Sequence, residues 1–189
     1  MIDYKIIAFK DSGKWRQWME KNHNSTDGVW LRMYKKDSGV KSIKYAEALD
    51  VALCYGWIDG QSKKYDELSY IQKFTPRRKR SIWSKQNREH VNRLTKAKLM
   101  AYAGIKEVER AKEDGRWDLA YDKASTMTIP EYFLKELRKK PTAKIFFETL
   151  NKTNLFAIGF RLQTAKTEET RKRRMDKILD MLEKQEKFH

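Results

Sequence analysis

Two stretches, Trp57 to Lys63 and Leu68 to Phe74, stand either side of the polar tetrapeptide Lys64-Tyr65-Asp66-Glu67. A polar connection of that length predicts an antiparallel hairpin and commits the first half of the chain to a sheet. Upstream, Val29, Leu31 and Met33 alternate with Trp30, Arg32 and Tyr34, the period of two expected of another strand. Helical spacing frames these strands. Trp15, Trp18 and Met19 recur at i, i+3 and i+4 behind Asp11 and Ser12, either of which can cap a first helix. Leu49, Ala52 and Leu53 repeat the pattern from Tyr45, with Gly56 placed to end that helix in a left-handed turn. Thr75-Pro76 is expected to stop the second hairpin strand, because proline has no N–H for the ladder. A basic loop and a long helical region from about Ser84 to Asp114 follow, with interior Gly104 placed to split it.

From Thr128 the pattern is purely helical. Pro130 suits a first turn before Tyr132, Phe133 and Leu137; Ile145, Phe146 and Leu150 continue in a short helix. Leu155, Phe156, Ile158 and Leu162 mark another helix between Asn151 and Ala165. The last has Glu168 and Glu169 in its first turn and Met175, Ile178, Leu179 and Leu182 on one face. The expected class is therefore α+β: a small, mainly antiparallel sheet with packed helices over residues 1–122, followed by a helical module, 128–189, that shares its core. Asp122 to Met127 is the candidate boundary. The 189 residues suffice for that arrangement but not for two independent large domains, and six Trp and nine Tyr supply apolar area that a disordered chain lacks.

Charge narrows the choice of partners. The chain carries 42 Lys and Arg against 26 Asp and Glu, a net charge of +16, which draws it toward polyanions. More than half of that excess sits between residues 62 and 98, where 12 basic residues face only Asp66, Glu67 and Glu89. Arg78, Lys79 and Arg80 follow Arg77 directly, and Arg88, Asn92 and Lys96 fall on one helix face beyond them, with Trp83 between as a stacking surface. This segment is a candidate anion or nucleic-acid site; a solvated basic rim is the alternative. The cluster Arg171 to Arg174 is diluted by neighbouring acids and reads as a solvated helix face.

Sites of specific chemistry are harder to find. Cys54 is the only cysteine, so no intrachain disulfide can form, and no sequence signature ties it to His23 or His90; it reads as a buried thiol in a reducing compartment. The histidines have no ligand spacing, so no metal site is expected. Gly39-Val40-Lys41-Ser42 lacks the glycines of a phosphate loop, and neither a dinucleotide fingerprint nor a nucleophile elbow occurs, so no cofactor is expected. No apolar run is long enough to enter a membrane, and a cytoplasmic protein is expected. Strand parity puts Trp57, Asp59 and Gln61 on one face of the first hairpin strand. Arg77 is expected near Asp59, either as a buried ion pair or as part of an open pocket with Trp57, Trp83 and Asn87, and with Lys36 at its edge.

The run Leu53-Cys54-Tyr55-Gly56-Trp57-Ile58-Asp59-Gly60-Gln61, followed by Phe74-Thr75-Pro76-Arg77 and Trp83-Ser84-Lys85-Gln86-Asn87, resembles the bacterial YdeI/OmpD-associated family. Tyr34-Lys35-Lys36, Ser38-Gly39, Gly115-Arg116-Trp117 and Ala120-Tyr121 stand around it in that family's order. Pro141, Ala143, Phe147, Leu150, Glu169-Thr170-Arg171 and Arg173-Arg174 resemble its helical C-terminal module, which extends the resemblance over nearly the whole chain. What it implies is a label of bacteriocin protection without an established mechanism. A direct sponge for cationic peptides ought to be acidic, whereas this chain is strongly basic, so protection by it is expected to be indirect. Three functions follow as expectations. The first is a non-catalytic protein binding an anionic ligand or partner beside the hairpin, the second a nucleic-acid binder through residues 77–96, and the third an enzyme acting through Asp59 with Lys36 or Arg77.

Overall fold

The computed structural model describes residues 4–189. The chain divides into two compact units, Met1–Ser81 with Glu89–Asp114, and Ile82–Arg88 with Gly115–His189.

In the first unit a four-stranded sheet runs in the order β1-β2-β4-β3, formed by Ile6–Ala8, Val29–Tyr34, Ser69–Pro76 and Trp57–Lys64 for β1, β2, β4 and β3 respectively. The pair β1 and β2 is parallel; both other pairs are antiparallel, including the expected hairpin of β3 and β4. The three-residue β1 has no alternation to announce it. Cross-strand partners share a face, and the register sets Val29, Leu31 and Met33 beside Phe74, Gln72 and Tyr70. Helix α1 (Ser12–Asn22) covers that face, starting as expected where the Asp11 carboxylate accepts from Lys14 N at 2.9 Å. Its Trp15 is fully buried, 5.9 Å from the Phe74 ring, and its Nε1 donates to Ala48 O in α2 (Tyr45–Cys54).

Pro76 lies within β4 rather than beyond it. The hydrogen bond from Arg77 N to Gly56 O makes Trp57 and Pro76 a pair whose backbone groups point away from each other. The missing N–H of Pro76 therefore faces the side where β2 has already ended, opposite Phe74, so the ladder loses nothing.

The helical region after the hairpin breaks at 97–101, between α3 (Lys85–Lys96) and α4 (Tyr102–Glu113), not at Gly104. Lys98 adopts φ 56°, and Leu99 N donates to Leu94 O, a left-handed helix stop usually given to glycine. Gly104 serves instead to bring α4 against α2. A β-carbon there would lie 2.7 Å from the carbonyl carbon of Cys54 and 2.9 Å from Leu53 O.

The second unit is helical: α5 (Glu131–Leu137), α6 (Pro141–Glu148), α7 (Lys152–Gln163) and α8 (Glu168–Glu183) enclose Phe133, Leu137, Ile158, Leu162, Ile178, Leu179 and Leu182. The apolar stripe read on the last helix is the buried one, except that Met175 is only partly covered. Residues 82–88 join this unit through paired backbone bonds, Tyr121 N to Trp83 O and Lys85 N to Tyr121 O.

Asp122, at the start of the stretch read as a boundary, is tied into this unit. It pairs with Lys85 at 2.6 Å and accepts from Gln163 Nε2 at 2.7 Å and Thr128 Oγ1 at 2.9 Å. Burial alone would raise its carboxyl, but the bonds from Lys85, Gln163 and Thr128 outweigh burial and bring it down to about 2. A folded value below the unfolded one means that this stabilisation is complete above roughly pH 4 and is lost as pH falls from there through 2. Between pH 4 and 2 the wild type should therefore lose more melting temperature than Asp122→Asn; parallel curves would show that the carboxylate contributes no such stabilisation.

Candidate functional site

Arg77, expected beside Asp59, does not share its face. Asp59 and Arg77 leave the sheet on opposite faces. Asp59 shares a face with Trp57 and Phe74, whereas the ladder, continued by the Arg77–Gly56 bond, sets Arg77 on the side of Thr75. The partner of Asp59 is the hydroxyl of Tyr45, at 2.8 Å, and burial together with that carboxylate pushes the Tyr45 phenol up. Gln61 is displaced by a bulge. Register shifts between Asp59 and Ser62, so Gly60 and Gln61 together oppose Lys73, and the parity that holds for Trp57 and Asp59 ends there. The amide of Gln72, 5% exposed, fixes this kink by donating to the carbonyls of Gly60 and Gln61 at 2.8 and 3.2 Å.

The two tryptophans expected as flat walls are core residues, each 1% exposed, in different units. Trp57 donates to His23 O at 3.1 Å and meets the Trp18 ring edge-on, while Trp83 packs against Trp117 with ring centres 5.0 Å apart. Asn87 lies in the first turn of α3, its N–H bonded to Ser84 Oγ, and Lys36 is exposed in a short 3₁₀ turn, Lys36–Ser38.

Arg78, Lys79 and Arg80 are exposed on a tight turn closed by Ser81 N to Arg78 O. The guanidinium of Arg88 stacks 5.2 Å from the Trp117 ring, and Asn92 and Lys96 are exposed further along α3. Cys54 is fully buried, and burial pushes its thiol up despite the guanidinium of Arg16 at 3.6 Å. Such a thiol is a poor nucleophile. Among the described residues no three His, Cys, Asp or Glu side chains gather closely enough to hold a metal ion.

What the sheet does assemble lies on its other face. Trp30, Arg32 and Tyr34, the alternate positions of β2, stand beside Lys73 and Ile71 of β4 and Lys63 of β3, and α1 and α2 lie on the opposite side. Cations and rings interleave there. The ammonium of Lys63 sits 5.0 Å from the Trp30 ring centre, and that of Lys73 sits 5.9 Å from Trp30 and 4.4 Å from Tyr4. The guanidinium of Arg32 lies between Tyr34 and Tyr65, at 4.6 and 4.5 Å, while bonding Asp66 and Ser69. Beyond Tyr4 the face opens into a notch of about 310 Å³ lined by Asp27, Thr75, Arg77 and Arg78. The tight approach at Gly28, φ 150°, makes room for Tyr4: a β-carbon would fall 2.9 Å from its ring.

No motif in the sequence marks Tyr4, Trp30, Arg32, Tyr34, Tyr65 or Lys73 as a site. The signal was the alternation itself, because the residues between Val29, Leu31 and Met33 are aromatic and cationic rather than merely polar.

Comparison with known families divides the chain. A family described as a domain of unknown function (DUF8412) matches residues 7–107, more than half the chain. The family described as Bacteriocin-protection, YdeI or OmpD-Associated matches residues 126–185. The resemblance read from the sequence is thus met over the C-terminal helices, while the run Leu53 to Gln61 that carried it most strongly falls inside the other match. No curated protein and no solved structure matches the chain significantly.

Proposed function

We propose that this chain, which belongs to the DUF8412 family and carries a YdeI/OmpD-associated segment after it, is a non-catalytic cytoplasmic protein that binds an anionic ligand through the uncovered face of its sheet. One observation carries this reading: Lys63 and Lys73 converge over Trp30, with Arg32 further along β2 held by Asp66, on a face that no helix of their own unit covers. Cations held over rings are only partly neutralised, since a ring quadrupole attracts charge without removing it. An anion arriving there is met by preorganised positive charge, and the exposed turn Arg78 to Arg80 extends the field past the notch. Among the described residues no helix is long and apolar enough to cross a membrane. The single buried thiol suits a reducing compartment.

Binding of inorganic polyphosphate, followed against salt concentration, tests this reading. The double variant Lys63→Gln/Lys73→Gln should bind more weakly, and its plot of log affinity against log salt should be shallower by about one per lysine removed. Stability should change little, because both ammonium groups are on the surface. Unchanged affinity and slope would move the anion site off the sheet.

A further inference from the structure

Resting on that reading, we propose that the ligand class is single-stranded nucleic acid, with Trp30 as the residue on which a base stacks. A polyanion without rings needs only cations; the uncovered face supplies rings in register with them. Trp30 lies on β2, between β1 and β4, with Ile6 and Lys73 as its cross-strand neighbours. Lys73 links it to Tyr4, and further along β2 Arg32 stands between Tyr34 and Tyr65, each tyrosine with a cation 4.4 to 4.6 Å from its ring centre. Side chains of a sheet stand roughly perpendicular to its plane, and successive same-face positions present successive surfaces to a strand laid across them.

The same contacts define the exchange that binding requires. Lys63 and Lys73 rest over Trp30 in the free protein. A base taking that face displaces two flexible ammonium groups, which are then free to reach the phosphates on either side of it. The ring loses a cation and gains a stacked base, and the lysines gain fully charged partners. Asp66, the acid bonded to Arg32 in this array, is also engaged by Ser69, so it opposes the backbone weakly. In the other direction Lys73 and Tyr4 lead to the notch, where Arg77 and Arg78 stand with a single acid, Asp27. A duplex fits this surface poorly, because its bases are stacked on each other and offer Trp30 no free face.

The test uses the full chain with a fluorescently labelled uridine-rich RNA oligonucleotide, the matching duplex, and heparin as a polyanion without bases. The single strand should bind more tightly than the duplex and quench tryptophan emission. Trp30→Leu should weaken single-strand binding roughly 5- to 150-fold, the range for losing one stacked base, and heparin binding by far less, because both lysines keep their charge. Trp30→Phe should recover part of the loss; this also guards against a leucine variant that fails to fold. Equal binding of duplex and single strand, or a Trp30→Leu variant indistinguishable from wild type, would overturn the nucleic-acid assignment. If heparin binding still falls in Lys63→Gln/Lys73→Gln, the broader anion reading survives that result. If that double variant binds both heparin and RNA as wild type does, both readings fail together.

Discussion

Gly104→Ala is expected to destabilise the first unit by at least about 3 kcal/mol, toward the severe end of overpacking substitutions. The added carbon would meet backbone, namely the Cys54 carbonyl and Leu53 O, so no rotamer change can relieve it. Helix α4 would have to move away from α2, and the bond from Ala101 N to Cys54 O, which joins them just before α4 starts, would lengthen or break. Removal of the helix penalty of glycine returns only about 1 kcal/mol. Denaturant unfolding of the variant should show a lower midpoint with an unchanged slope. A midpoint equal to or above that of wild type would mean that the two helices are not in contact at this position.

Trp57→Ala should cost about 3–5 kcal/mol, the usual range for deleting a large buried aromatic. The ring is 1% exposed, stands edge-on to Trp18, and uses its Nε1 to satisfy His23 O at the end of α1. Its loss therefore leaves a cavity and an unpaired carbonyl at once. Affinity for an anion, measured at a temperature where the variant remains folded, should be unchanged. The contrast with Trp30 is the informative part: truncation of Trp57 should act on stability, and truncation of Trp30 on binding. A Trp57→Ala protein that melts like wild type but no longer binds polyphosphate would restore Trp57 to the site and remove the uncovered face from it.

That contrast also shows how far the sequence could be read. Strand parity correctly paired Trp57 with Asp59, yet parity alone does not say which face is covered. The covering helices settled it: Trp15, in α1, packs on the face that Asp59 shares with Phe74. Gln61 was unreadable for another reason. The bulge that displaces it is held by an amide on the neighbouring strand, Gln72, eleven residues away, and no local propensity encodes it. The helix break at Lys98 escaped because a lysine takes the left-handed position normally marked by glycine, and Gly104, which did mark the sequence, answers to a neighbouring carbonyl instead. Where local chemistry decides, reading was reliable. Asp11 caps α1, Glu168 and Glu169 open α8, and the alternation in Val29 to Tyr34 is a strand. The cations were also legible as an excess, but not their arrangement, since Lys63 and Lys73 meet over Trp30 only once three strands are paired.

The claim that the uncovered sheet face is the binding surface is tested most directly by ultraviolet cross-linking of the intact chain to a uridine-rich RNA oligonucleotide, with the modified peptides identified by mass spectrometry. Adducts are expected on the peptides that contain Tyr4, Trp30 and Lys73, and they should be lost when unlabelled single strand is added in excess. Adducts confined to the turn Arg78 to Arg80 and to the helices beyond residue 115, with none on β2 or β4, would contradict it.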